Sequence, residues 1–210
     1  NSQILYAGYN PKDWSGTVRA CSTAQNAQQC NDKPVWEASN WFNPNVTTTY
    51  VTSVLTASSR KIVTSWLNTS TFAFSKMPFQ WSSLNATQQA ILQSSDNQGS
   101  ARLGYLRGDR SQEGSVFRTR PAGLLGDIVN SGVTYVSGAS PALRFTGHAT
   151  YRASTKNRVP VVYVGSNDGM LHAFSGTDGK ELFAYVPSAV FSNLPGLTAL
   201  NFQHRYFVDS

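Results

Sequence analysis

Residues 159–186 read VPVVYVGSNDGMLHAFSGTDGKELFAYV and decide the fold class of the chain. Three short runs of β-branched and aromatic residues are separated by glycine-bearing turns at residues 167–169 and 176–179. Asn, Asp and Gly tolerate positive φ, which tight turns between antiparallel strands require. Strands that recur about every 11 residues are typical of an antiparallel meander. The stretch therefore predicts three strands of one propeller blade.

The same pattern occurs at the start of the chain. GTVRA at residues 16–20 resembles GMLHA at 169–173, and KPVW at 33–36 parallels KELF at 180–183. A third, weaker copy covers residues 60–81. Repeats of about 40 to 50 residues built from short strands indicate propeller blades, because one four-stranded sheet cannot bury both faces alone. We therefore predict an all-β fold, an incomplete β-propeller of four-stranded antiparallel blades, with blade-like repeats near 3–38, 58–82 and 124–186.

Short insertions interrupt these repeats. Asn85 is a suitable helix N-cap and Gln88 completes a capping box, so a helical insertion is predicted over residues 85–94. A second short helix is predicted around residues 189–194. We predict a loop over residues 40–59, with at most one strand near 50–55. The innermost strand of the last blade is predicted over residues 124–137. A polar, basic loop is predicted over residues 138–158.

Composition limits the classes of protein to which the chain can belong. Of 210 residues, 40% are hydrophobic and only 13% are charged, which allows a real core and is more typical of an extracellular β-protein than of a cytosolic enzyme. No apolar run reaches the roughly 18 to 20 residues that span a bilayer, so no transmembrane segment is predicted. The net charge of +6 does not form a patch in the sequence, and its densest cluster, residues 102–120, is interrupted by Asp109 and Glu113 and lacks the aromatic stacking pattern of a single-strand binder. We therefore expect a solvated basic surface and no nucleic-acid partner.

The chain has two cysteines, Cys21 and Cys30. An even count with short spacing suits a loop-closing disulfide in an oxidising compartment, and two free buried thiols are the alternative. Because both lie in an Asn/Gln-rich stretch where no core is expected to hold them, the disulfide is favoured. The first residues lack a signal peptide and the last resemble a strand that enters another blade. The parent protein is therefore expected to extend beyond both ends.

Several motifs together resemble one known family. YNPKDWSGTV at residues 9–18, VWEAS at 35–39, YLRGD at 105–109, FRTR at 117–120, LGDIVNS at 125–131 and VGSNDGMLHAF at 164–174 occur in the order shown by type IV pilus tip-associated adhesins of the PilC/PilY type. HRYFVDS at the end of the chain agrees with them. The resemblance covers nearly all 210 residues, and LGDIVNS and VGSNDGMLHAF are its most specific parts.

The resemblance implies part of a C-terminal, quinoprotein-like β-propeller without quinone chemistry. It further implies an exported protein at the pilus tip or on the cell surface or outer membrane. There it would act with minor pilins in pilus biogenesis, surface or host attachment and twitching motility. An acidic calcium loop is missing, since residues 96–99 contain a single carboxylate. No cofactor or metal site is therefore expected within this chain, and the family's calcium site would lie elsewhere in the parent protein.

Arg107, Gly108 and Asp109 form the sharpest short motif and are the receptor-binding candidate. An arginine and a carboxylate separated by glycine can bridge an acidic pocket and a metal ion on an integrin-type host receptor. The alternative is that Asp109 pairs with a neighbouring arginine or with a backbone amide in a turn.

Catalysis is the other function considered, because the last repeat is similar to the docking repeat of quinone-dependent alcohol dehydrogenases. That repeat carries no chemistry, and Cys21 and Cys30 are not the adjacent pair which those enzymes usually have. The three histidines lack zinc-ligand spacing, and His172 is expected to tie strands together by a hydrogen bond. No catalytic residue is predicted, and an envelope-assembly scaffold remains the main alternative function.

Overall fold

The structure is a computed structural model that describes residues 3–209. The first sheet has three antiparallel strands in the order β1-β2-β3. They are β1 (Gln3–Asn10), β2 (Ser15–Ser22) and β3 (Trp36–Glu37). β1 and β2 form a regular hairpin through a turn at residues 11–14. β1 is an edge strand and lies mostly exposed.

The second sheet has six strands in the order β5-β4-β9-β8-β7-β6. They are β4 (Ile62–Asn68), β5 (Ala73–Pro78), β6 (Thr134–Val136), β7 (Val161–Ser166), β8 (Met170–Ser175) and β9 (Glu181–Val186). β6 to β9 form the predicted antiparallel meander, a four-stranded blade. The β4–β5 hairpin extends that blade, and β4 pairs with β9 in parallel.

The helices are short and lie in the segments that connect or follow the strands. They are α1 (Ala27–Asp32), α2 (Ala86–Gln93), α3 (Gly99–Arg107), α4 (His148–Thr155) and α5 (Leu194–Thr198), with 3-10 helices at Ala38–Phe42, Trp81–Ser83 and Ser188–Asn193. α2 has the predicted capping box: Asn85 Oδ1 accepts from the Gln88 amide at 2.9 Å and Gln88 Oε1 accepts from the Asn85 amide at 3.2 Å. No helix within residues 3–209 has the length and apolar character needed to cross a membrane.

Several segments differ from their sequence-based predictions. Residues 58–82 contribute two strands that join the last blade, while residues 79–80 form a bend that leads into the 3-10 helix at Trp81–Ser83. The strand considered near residues 50–55 is not formed. The polar segment 138–158 contains α4, and residues 124–137 contribute a strand only at β6. β4 pairs with β9, which is far along the chain, and local periodicity does not report such a contact.

Aromatic residues join the two sheets. Trp36 and Trp41 are fully buried in a cluster that also contains Val18 of the first sheet and Val162 and Phe174 of the second. Trp41 Nε1 donates a hydrogen bond to the backbone oxygen of Asp178 at 2.8 Å. The 176–179 turn after β8 thus docks onto the first sheet, as neighbouring blades would. A second cluster fills the space between the blade and α2, α3 and α5.

Gly179 is the residue that allows this docking. Its φ of +73° lies in the left-handed region, and a Cβ there would overlap the ring of Trp36.

The disulfide between Cys21 and Cys30 is present, with a Cα–Cα distance of 5.4 Å. Both cysteines are buried, so the expectation that no core would hold them was wrong. The Asn/Gln-rich stretch forms α1, because Asn26 and Gln29 make a capping box that starts this helix. α1 carries Cys30 back onto the end of β2.

We expect a Cys21→Ala/Cys30→Ala double variant to lose about 2 to 3 kcal/mol of unfolding free energy, through restored freedom of the unfolded chain. Urea denaturation of oxidised wild type and variant measures the difference. Equal midpoints and slopes would show that this loop is held by α1 packing alone.

Candidate functional site at the junction of the sequence motifs

Asp127 is the centre of a polar cluster that joins distant segments. Its Oδ2 accepts hydrogen bonds from Asn167 Nδ2 and from His204 Nε2, both at 2.7 Å. The Asn167 amide also donates to the Asp127 backbone oxygen at 3.0 Å. Asp127 and Asn167 are buried. We call Trp14, Asp127, Asn167, His204 and Asp209 the motif junction.

Asp209 holds the segment that follows Asp127. Its carboxylate accepts from the backbone amides of Val129 at 2.8 Å, Asn130 at 2.9 Å and Ser131 at 2.6 Å. Burial opposes the charge of Asp209, but these three amides outweigh it and lower the pKa of the carboxyl below its usual value. The segment at residues 129–131 therefore takes its conformation from a charged group almost eighty residues away.

The N-terminal hairpin reaches the same place. The Trp14 ring stacks on His204 with centroids 3.7 Å apart, and Trp14 has a φ of +55°. The Gly16 amide donates to the Leu125 oxygen at 2.8 Å. A Cβ on Gly126 would overlap the backbone of Asp168. The LGDIVNS segment thus contacts the turn of YNPKDWSGTV, the NDG turn and HRYFVDS.

A second cluster lies beside the junction and consists of four buried charges. Arg60 makes a bidentate pair with Glu181, with both N–O distances 2.7 Å. His172 donates from Nδ1 to Glu181 at 2.9 Å and from Nε2 to Asp168 at 3.0 Å. We call Arg60, Asp168, His172 and Glu181 the charge quartet. Its two cations and two anions balance.

The pKa values follow from this pairing. Burial lowers the pKa of His172, but Asp168 and then Glu181 outweigh burial and raise it to about 9. Burial raises the pKa of Glu181, but Arg60 and then His172 outweigh burial and lower it to about 2. His172 is therefore a cation at neutral pH. Its hydrogen bond to Glu181 ties β8 to β9 as expected. Its positive charge, which the sequence did not indicate, also compensates the negative charges of Asp168 and Glu181.

The quartet also fixes the place of Arg107. Arg60 Nη1 donates to the Arg107 backbone oxygen at 3.0 Å. The Arg107 guanidinium is itself buried and donates to the backbone oxygens of Phe79, Ala57 and Arg60. Asp109 Oδ1 accepts from the Ser111 amide at 2.8 Å, and this bond chiefly lowers the pKa of its carboxyl.

This geometry favours the structural alternative for the receptor-binding candidate. Gly108 ends α3 with a φ of +115°, and Asp109 caps the following turn. The Asp109 side chain is exposed to solvent, whereas the Arg107 side chain is buried. Receptor binding by Arg107, Gly108 and Asp109 stays a prediction, and it would require α3 to release Arg107.

A narrow cleft runs beside the motif junction and is lined by Trp14, Tyr105, Arg118, Gly126 and Asp168 among others. Its cavity volume is about 30 Å³. That is room for two or so waters, at roughly 10 to 15 Å³ each, and is far below the roughly 300 Å³ of organic-ligand pockets. The cleft can hold water between the hairpin and the blade.

Metal ligands do not gather in the part of the chain that the structure describes. Within residues 3–209 no group of three or more His, Cys, Asp or Glu side chains could hold a metal ion. Asp96, the carboxylate of the degenerate loop at 96–99, pairs with Arg102 and accepts from the Gln98 amide. The absence of a cofactor stays a prediction, as does calcium elsewhere in the parent protein.

The charge quartet and Asp209 were missed by sequence reasoning. A signal existed for Glu181, because it opens the otherwise apolar strand ELFAYV. A carboxylate in such a strand requires a buried partner. Nothing local indicated that the partner would be Arg60, 121 residues away.

Comparison with known proteins finds a similarity in the C-terminal part of the chain, which contains LGDIVNS and VGSNDGMLHAF. Residues 125–210 match the PilY1 beta-propeller domain. This part of the chain is similar to the PilY1 propeller family. The predicted family and fold class are thereby confirmed, although the two sheets within residues 3–209 do not close into a ring.

Two relatives show the same similarity. A type IV pilus biogenesis factor PilY1 homolog of Xylella fastidiosa is 48% identical over 135 residues, which cover 60% of this chain and 11% of that protein. Type IV pilus biogenesis factor PilY1 of Pseudomonas aeruginosa strain PAK is 44% identical over 151 residues, which cover 62% of this chain and 13% of that protein. The chain thus spans little more than a tenth of these relatives. No solved structure matches it.

Proposed function

We propose that the chain is a non-enzymatic adhesion and assembly module of a type IV pilus. In this role it acts at the pilus tip on the cell surface, where it supports pilus biogenesis, surface or host attachment and twitching motility. The supporting relatives are named type IV pilus biogenesis factors. The observation that carries the proposal is the motif junction, where the segments most specific to the family hold one another in place.

The chemistry of the two clusters supports a scaffold rather than an enzyme. Each carboxylate of the charge quartet is engaged by a cation, and Asp127 and Asp209 accept from two or more donors. A general base or nucleophile must instead reach a substrate from a site open to it. These residues therefore serve to fix one arrangement of loops, which is what a docking surface for other proteins needs.

Minor pilins are the proposed partners at the pilus tip, and a host-cell surface receptor is a further one. The disulfide suits an oxidising location outside the cytosol. A scaffold in general envelope assembly is the second candidate, because it would use the same fold. A quinone-dependent dehydrogenase is a distant third.

Deleting the gene in the source organism should abolish surface pili and twitching, and re-expression of the full-length parent protein should restore both. Sheared pili should then contain the protein together with minor pilins. Asp127→Asn should reduce piliation by disrupting the junction, whereas Asp32→Asn, at an exposed carboxylate, should not. Unchanged piliation, with the protein recovered among outer-membrane assembly factors, would favour the scaffold instead.

A further inference from the structure

The segment between β6 and β7 is held in its conformation by polar side chains. Among residues 141–159 only His148 and Thr155 are buried. His148 Nε2 lies 2.8 Å from the Ser140 oxygen. The Thr155 hydroxyl donates to the Tyr151 oxygen at 3.0 Å and accepts from the Ala139 amide at 3.1 Å. These polar groups point inward, where a surface helix ordinarily places apolar ones.

The apolar side chains of the segment point outward. Leu143 and Tyr151 are 52% exposed and Phe145 is 64% exposed. The Phe145 and Tyr151 rings lie 4.9 Å and 6.5 Å from the ring of His148, so both belong to one surface. Scattered apolar side chains on a surface are ordinary, but a contiguous exposed group marks an interaction site.

The charge around this group has one sign. Between Asp127 and Asp168 the sequence contains no Asp or Glu. It contains four exposed cations, Arg144, Arg152, Lys156 and Arg158. None of them makes an ion pair with an acidic residue in the described range 3–209. The α4 patch, meaning Leu143, Phe145, Tyr151 and these four cations, therefore presents uncompensated positive charge beside exposed apolar groups.

We propose that the α4 patch docks onto an anionic lipid surface. Arg144 stands next to Phe145 in the chain, and Arg152 stands next to Tyr151. A protein interface usually has a core depleted of charge, and this interleaving leaves no such core. A lipid interface accommodates apolar and cationic side chains together, because the apolar side chains enter the acyl boundary while arginine and lysine reach the lipid phosphates. This contact goes beyond the pilus function and does not depend on it.

The test is sedimentation of the purified chain with vesicles. Vesicles of equal parts phosphatidylcholine and phosphatidylglycerol should bind the chain, and vesicles of phosphatidylcholine alone should bind it far less. Added salt should weaken binding. Arg144→Gln/Arg152→Gln should weaken it about 25-fold, since each cation near an anionic surface contributes about fivefold. Phe145→Ser/Tyr151→Ser should weaken it about tenfold or more.

The β4–β5 hairpin offers a matched control. Phe72 and Phe74 are 80% and 69% exposed and lie near the exposed Lys76. Phe72→Ser/Phe74→Ser and Lys76→Gln should leave binding unchanged, and thermal melts should show that every variant folds. Equal binding to both vesicle types, or equal loss in control and patch variants, would overturn the proposal. Failure to bind either vesicle would also overturn it and would leave an acidic protein as the occupant.

Discussion

Replacing Glu181 with glutamine should lower the free energy of unfolding by about 3 to 5 kcal/mol, the cost of leaving a buried ion pair without one partner. Arg60 and His172 would then be two buried cations facing the single carboxylate of Asp168. Glutamine keeps the shape of the side chain, so the loss reports charge rather than a cavity. For a chain of this size the melting temperature should fall by about 10 °C.

Glu37→Gln is the matched control. Glu37 pairs with Arg19 at 3.3 Å, and both side chains retain some solvent exposure. A pair of this kind contributes at most about 1 kcal/mol. Urea denaturation of the three proteins at neutral pH measures the comparison. Similar losses of unfolding free energy in the two variants would mean that the charge quartet stabilises the fold no more than the Arg19–Glu37 pair does.

The second large effect is a loss of stability at alkaline pH. The pKa of His172 is about 9 in the folded chain and 6.5 in its reference state. Its stabilising contribution is therefore fully present below pH 6.5 and is lost as the pH rises through about 9. A difference of this size corresponds to about 3 kcal/mol. Burial opposes the charge of His172, and Asp168 and Glu181, which accept hydrogen bonds from its two ring nitrogens, outweigh burial.

The His172→Gln variant should not show this loss of stability at alkaline pH, although it should be less stable than wild type at pH 6. Unfolding free energies from urea titrations between pH 6 and pH 10 would show two curves that approach each other. On the acid side, Glu181 contributes stability that is present above pH 4.5 and is lost as the pH falls through about 2. The two contributions share contacts and are not additive. Parallel curves across the alkaline range would mean that His172 is neutral in the folded protein.

The meander of β7, β8 and β9 could be predicted because its information is local. Turn residues at 167–169 and 176–179 stand between apolar runs, and neighbouring strands pair with each other. The helix α2 could be predicted for the same reason, since Asn85 and Gln88 are three residues apart. α3 was missed because its buried side chains include Arg102 and Arg107. Arginines read as a solvated surface instead satisfy backbone oxygens inside the protein.

The candidate site could be predicted only in its parts. The motifs were visible in the sequence, but their meeting point depends on Asn167, His204 and Asp209. The expected basic loop contains α4 because polar anchors, His148 and Thr155, hold it. Periodicity of apolar residues cannot report a helix that buries its polar face.

The parallel pairing of β4 with β9 has a consequence for how the chain acquires its structure. The Thr64 hydroxyl donates to the Val186 oxygen across 122 residues, and three residue pairs align along the two strands. When the chain emerges from its N-terminus onward, β4 and β5 exist for that whole interval as a lone hairpin, which is marginally stable in water. β9, the last strand of this sheet to be synthesised, completes the sheet. The slow, non-local closure of that sheet edge should limit the rate at which this part of the chain matures, and the interval before it is when the hairpin is open to aggregation.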